Sequence, residues 1–371
     1  MTAMRACIVG GGLAGTLLAW RLAQRPEVEH VDLLIGGHSG HDATEVSGGV
    51  VRAYEPHPEQ RRLALESLVE LSESRVLQEW SGFRPAPSLY VRTWDPGVDT
   101  ALRQIDLALP GSARLVGGRE LAALGWAGLP YGTVGVVERT AGHLSPSRLR
   151  SAVLSDLTML GTVGVSSSSL DSLVARVDGT VTVWAGGRRA EYDVAVVAAG
   201  AWTPRVLVGN GFSARDYRTK SIQYTVYQAL GWRPPAFVDE TTGLYGKPVA
   251  RDGLLLGVAT REWDVMPGPR PPTAEVHARA RARASARLPW LALGPARASV
   301  NASDCYCDRP VLALRPVRST AGAIWTFTGG SGGSAKTALA ASRAAADGLV
   351  HSTLGVTCPD PTSTQRSVNQ P

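Results

Sequence analysis

A chain of 371 residues exceeds one ordinary core, and a hydrophobic fraction of 44% suffices for two globular domains. The net charge of +6 comes from scattered arginines; Arg279, Arg281, Arg283 and Arg287 alternate with alanine and point to different faces of a helix, which argues against a nucleic-acid stripe. No apolar run reaches the roughly 18 residues that span a bilayer, no secretory leader is recognised at the N-terminus, and the four cysteines lack zinc or disulfide-framework spacing, so a cytoplasmic setting with no membrane partner is expected.

Residues 7–15, Cys-Ile-Val-Gly-Gly-Gly-Leu-Ala-Gly, run a short apolar strand into Gly10-x-Gly12-x-x-Gly15 and on into a helix. The spacing suits a dinucleotide pyrophosphate: Gly10 allows the tight turn, Gly12 lets backbone N–H groups approach the phosphates, and Gly15 lets helix and strand pack closely. Val31–Ile35 reads as the second strand of this unit. Residues 86–139 are rich in turn signals. Asp193–Trp202 opens with an apolar run of the kind buried in a parallel sheet and stopped by glycine. Ser221–Tyr227 alternates as a strand, and Gly253–Gly257 is a short buried one, so 216–300 fits an antiparallel sheet with flanking helices. Ala323–Thr328 is again strand-like and runs through the glycine-rich turn 329–334 into a helix-forming stretch from Thr337. Lys336 stands where the positive end of a helix dipole disfavours a cation, which an anion to be bound would explain.

In chain order these segments resemble the D-amino-acid oxidase superfamily of FAD enzymes, and more narrowly its glycine oxidase and monomeric sarcosine oxidase branch. Five matches carry the resemblance over residues 5 to 355: the glycine turn at 10–15; Ser47-Gly-Gly-Val-Val-Arg52; Val197-Ala-Ala-Gly200-Ala-Trp202; Cys305-Tyr306 before Arg309-Pro310; and Gly329-x-Ser331-Gly332-x-x-x-Lys336. The resemblance implies an α/β fold: a Rossmann-like FAD-binding domain (1–85, 140–215 and 305–356) interleaved with an α+β substrate domain on a mostly antiparallel sheet (86–139 and 216–304), then a disordered tail, 357–371. It implies FAD as cofactor, held at its first turn by Gly10, Gly12, Leu13, Ala14 and Gly15. Thr44, Ser47 and Gly48 would follow, then Gly200 and Trp202, and finally Gly329, Gly330, Ser331, Gly332, Gly333 and Lys336. Arg52 and Lys336 occupy the places that bind a substrate carboxylate, and a guanidinium fork beside an ammonium suits that anion. Tyr245 matches a pocket tyrosine, and Cys305 falls where some members bond a cysteine to the flavin. For each there is a plainer reading: Arg52 as a surface arginine, Tyr245 as a strand aromatic, Cys305 as a buried free thiol.

The sequence departs from the pattern in three places. The position of the usual ribose-binding carboxylate holds Ile35-Gly36-Gly37, with Asp32 inside the strand, which leaves backbone, His38, Ser39 or water for the ribose. A lysine that assists the reaction with oxygen is Leu255 here, and a pocket histidine is Ala259, so another cation such as Lys247 would supply the field. These losses widen the cavity and make it more apolar, which favours a larger substituent on the substrate nitrogen at about 0.8 kcal/mol per buried methylene. The expected activity is therefore oxidation of an N-substituted, N-carboxymethyl type of glycine by hydride transfer, giving an imine and then glyoxylate and amine, with molecular oxygen reduced to hydrogen peroxide. Three alternatives stay open: oxidation of a cyclic imino acid or another amino acid, a nicotinamide-dependent flavin hydroxylase, and a non-enzymatic flavin module.

Overall fold

The computed structural model describes residues 3–37, 42–249, 252–330 and 332–354. The strands of its two principal sheets are, in chain order, β1 (Met4–Val9), β2 (Val28–Leu34), β3 (Ser88–Thr93), β4 (Ala113–Val116), β5 (Thr133–Glu138), β6 (Val163–Ser166) and β7 (Val194–Val197). There follow β8 (Tyr217–Ala229), β9 (Ala236–Asp239), β10 (Leu244–Val249), β11 (Gly253–Val258), β12 (Leu293–Cys307), β13 (Ala313–Pro316) and β14 (Ile324–Thr328).

The first sheet has the order β13-β14-β7-β1-β2-β6, with β1 parallel to both β2 and β7, and β7 parallel to β14. Its central strands are largely apolar because the sheet is covered on both faces: Val194, Ala195, Val196 and Val197 are all fully buried. Val194 and Val196 lie in the core cluster shared with the helices, Ala195 and Val197 in one shared with Leu173, Val181 and Val183 of a small antiparallel sheet. The helix α1 (Leu13–Ala23) places Leu17, Leu18 and Leu22 in the largest core cluster, each burial contributing about 1.5–3 kcal/mol. Against it packs α2 (Ala338–Leu354), whose alanines allow a close approach.

The second sheet has the order β12-β8-β11-β10-β9-β3-β5-β4 and is antiparallel except where β3 runs beside β9. Two separate stretches of chain therefore build it, β3–β5 and β8–β12, interleaved with the segments of the nucleotide sheet. The strand bounds differ from the sequence reading at their ends: β7 stops at Val197, and Gly200–Trp202 is a short 3-10 turn, since Gly200 takes a left-handed φ of +50°. The last helix likewise begins at Ala338, after a 3-10 turn over Ser334–Lys336. The tail from 355 onwards, with the expected 357–371 segment, lies outside the described residues.

Candidate active site

Residues of both sheets enclose one large cavity of about 1010 Å³. Small-ligand pockets run to about 1,000 Å³, so this one sits at the large end, with room for a dinucleotide and a second small molecule. Its floor is the first glycine turn, its far wall the face of the second sheet that carries Tyr224, Tyr245, Lys247 and Leu255.

At the nucleotide end, Gly10 has a φ of +126°, and a Cβ there would stand 2.4 Å from the Ala198 carbonyl oxygen. A Cβ on Gly15 would stand 2.1 Å from the Gly10 oxygen, so the helix can lie on the turn only because both residues are bare. The cap residue Gly12 offers no side-chain acceptor. Thr44 Oγ1 accepts the Leu13 N–H at 3.0 Å, which leaves the N–H groups of Ala14 and Gly15 for an external anion. Gly10, Gly12, Leu13, Ala14, Thr44, Ser47 and Gly48 all line the cavity. So do Gly200 and Trp202 from the second loop, and Gly329, Gly332, Gly333 and Lys336 from the third. Gly15 and Gly330 do not; Gly15 serves the packing, and Gly330, at a φ of +127°, lets the third loop turn. Ser331, His38 and Ser39 lie outside the described residues. Asp32 is committed elsewhere, accepting the Tyr192 hydroxyl at 2.6 Å, and is absent from the lining.

Arg52 and Lys336 come together in the middle of the cavity, both buried, and between them stands a residue the sequence reading missed. Glu55 Oε1 lies 2.7 Å from Arg52 Nη2 and 3.0 Å from Lys336 Nζ. Burial pushes the Glu55 carboxyl up, but the two cations outweigh it and hold it below the usual carboxylate range. The anion that the lysine's position called for is thus partly supplied by the protein. Arg52 is fixed further by a bond from Nε to the Tyr54 carbonyl at 3.1 Å and by stacking of its guanidinium over Tyr90, 4.9 Å from the ring centroid. Glu138, fully buried at the end of β5, accepts the N–H groups of Ala53 and Tyr54 at 2.7 and 3.0 Å. Arg61 donates to the Glu55 carbonyl at 2.8 Å and to the Pro56 carbonyl. The segment 52–56 is held from both sides, so the guanidinium is positioned before any ligand arrives.

Beyond this charged centre the wall is apolar. Leu255 and Ala259 both line it, as does Phe237. Tyr245 also lines it, but its hydroxyl donates to the Gln223 carbonyl at 2.9 Å, so it presents a ring face and its phenol is not free. That ring lies flat over β11 because Gly257 opposite it has no Cβ, which would stand 2.3 Å from the ring. Cys305 is turned off the cavity. Its thiol is not among the lining groups and lies against Thr328 and Gly329, which are, and burial pushes its pKa up to about 12. Cys305 and Cys307 are free, and the described residues hold no group of side chains fit for a metal.

The sequence matches the FAD dependent oxidoreductase (DAO) family over residues 5–348. The chain belongs to that family. FAD is accordingly its cofactor, and the three glycine loops and the open helix N-terminus fit a flavin dinucleotide. No curated protein sequence matches the chain. Among solved structures it is similar to glycine oxidase from Geobacillus kaustophilus at 18% identity, covering 99% of this chain and 100% of that one, with a TM-score of 0.70. Iminodiacetate oxidase from Chelativorans sp. BNC1 is also 18% identical, over 97% of this chain and 98% of that one, with a TM-score of 0.69. L-proline dehydrogenase from P. horikoshii is 16% identical over 96% and 94%, with a TM-score of 0.75. These likenesses establish the flavoenzyme fold.

Proposed function

We propose that the protein oxidises the C–N bond of a glycine-type substrate, an N-substituted and specifically N-carboxymethyl glycine, with molecular oxygen as acceptor and imine, then glyoxylate and amine, as products. The observation that carries the reading is the buried Arg52–Lys336 pair, which opens on the cavity lined by all three glycine loops and faces an apolar wall. FAD held by the three glycine loops would supply the hydride acceptor and the route for electrons to oxygen. The protein's own residues bind and orient: the guanidinium fork and the ammonium take the substrate carboxylate, and Glu55 yields its place between them. The Tyr90 and Tyr245 rings with Leu255 and Ala259 exclude water around the nitrogen and make room for its substituent. No basic side chain is needed for the hydride step, since a neutral amine held in line with the acceptor suffices. The iminodiacetate oxidase neighbour acts on a substrate of this chemistry, as its name states, which supports the choice of the N-carboxymethyl class.

The test is oxygen uptake with an N-alkylglycine and with iminodiacetate, comparing Arg52→Met and Lys336→Met with wild type. Loss of a charged partner from a buried carboxylate predicts a fall in kcat/KM of about 100-fold or more for each variant. Unchanged kcat/KM in either would remove that residue from the carboxylate clamp. Oxidation without glyoxylate would favour a cyclic imino acid instead.

A further inference from the structure

Most of the cations that line the cavity have visible counterparts. Arg52 and Lys336 share Glu55, Arg150 pairs with Asp42 and Glu45, and Lys220 sits against the rings of Trp263 and Tyr306 at 4.7 and 5.5 Å. Lys247 is different. It projects from β10 into the cavity, largely buried, with no hydrogen bond, ion pair or ring contact among the described residues. Its electrostatic neighbour is His143, on which Arg84 also acts, and among the described residues no carboxylate is paired with Lys247. A largely buried ammonium with no partner is costly, and burial accordingly lowers its pKa. An anion arriving from outside would remove that cost.

The sheet sets the spacing. Tyr90, which carries the Arg52 guanidinium on its ring, pairs with Val238, and Val238 pairs with Tyr245; Lys247 lies two residues further along the same strand and face. The Cα atoms of Tyr90 and Lys247 are thus two strands and one side-chain repeat apart, about 12 Å at ordinary sheet dimensions. Lys247 reaches into the cavity from one of these positions and the Tyr90 ring carries the Arg52 guanidinium at the other, an arrangement suited to the two ends of a small dicarboxylate with its central nitrogen against the apolar wall.

We propose that Lys247 binds a second carboxylate of the substrate, borne by the substituent on the glycine nitrogen, and so selects dicarboxylates over simple N-alkylglycines. The proposal rests on the glycine-type reading above and deepens it.

Calorimetric titration of the FAD-loaded protein with two thioethers separates the two ideas. In (methylthio)acetate and thiodiacetate, sulfur stands in for the amine nitrogen, and only the second has two carboxylates. Wild type is expected to bind thiodiacetate about tenfold or more tightly than (methylthio)acetate, as a charge-assisted contact implies. Lys247→Met should bring the two affinities to within a factor of about two while leaving (methylthio)acetate unchanged, and Lys247→Arg should keep most of the preference. Flavin content and visible spectrum show that each variant is folded. A preference that survives in Lys247→Met overturns the proposal. Equal weakening of both thioethers overturns it too, by giving Lys247 a role in the whole site. If (methylthio)acetate does not bind to wild type at all, the glycine-type reading fails and the second-carboxylate site falls with it; if it binds and thiodiacetate gains nothing, only the latter falls.

Discussion

Between Arg52 and Lys336 the carboxylate of Glu55 keeps two buried cations from repelling each other, and under the proposed function it competes with the substrate carboxylate for them. Removing one member of such a buried set costs about 3–5 kcal/mol. Glu55→Gln is therefore expected to unfold at a distinctly lower temperature in the absence of ligand, and to bind (methylthio)acetate several-fold more tightly, because the competing anion is gone. Thermal unfolding with and without the thioether checks both signs; a variant that matched wild type in each would mean that Glu55 neither stabilises the pair nor competes with ligand. Arg52 and Lys336 were singled out by the resemblance to the flavin oxidases, and the lysine also because a helix dipole made its place awkward. Glu55 was not, since a glutamate three residues after an arginine is commonplace and its second partner, Lys336, arrives only through the fold. Glu138 was hidden for the same reason: nothing in Val-Val-Glu138-Arg reveals that its acceptors meet the N–H groups of Ala53 and Tyr54.

Among the elements, the strand–turn–helix at the N-terminus was the most legible, because its glycines answer to one steric fact. The contact that requires Gly15 is backbone against backbone, so no rotamer change can relieve it. Gly15→Ala is expected to give protein that is poorly soluble or purified without yellow colour. Gly161→Ala, in a turn where a Cβ meets nothing within 4 Å and φ is not left-handed, should retain a full complement of flavin. Flavin-to-protein absorbance ratios decide between them; a fully loaded Gly15→Ala would show that the helix can shift without losing the phosphates. Less legible was the segment 86–139, which sequence could mark as turn-rich and assign to the second domain but could not set in register. Its strand β3 joins the sheet by a parallel pairing with β9, far along the chain, and no local pattern encodes such a partner.

For the molecule as a whole, the cavity lies between two sheets, and no cysteine among the described residues lines it. Precipitation of purified holoenzyme with trichloroacetic acid is expected to leave a colourless pellet and a yellow supernatant. A yellow pellet would mean that a thiol, Cys305 or another, reaches the ring after all. The resemblance to flavin oxidases was legible over nearly the full length, yet the side to which a single cysteine turns depends on the strand's register: Tyr217 faces Cys307 and Thr219 faces Cys305 across β8 and β12, and that register carries the Cys305 thiol away from the lining.

The position of Ile324–Thr328 has a consequence for how the protein is made. This strand lies directly beside Val194–Val197 near the centre of the nucleotide sheet, yet it leaves the ribosome more than a hundred residues later, since 324 follows 197 by 127 positions. Until then the nascent chain holds a fully apolar strand with one edge bare, a template for mispairing with other chains. Synthesis that stalls or stops before residue 324 would therefore yield a fragment that clumps rather than a smaller working enzyme, because the edge stays bare throughout the stretch of chain that separates the two strands.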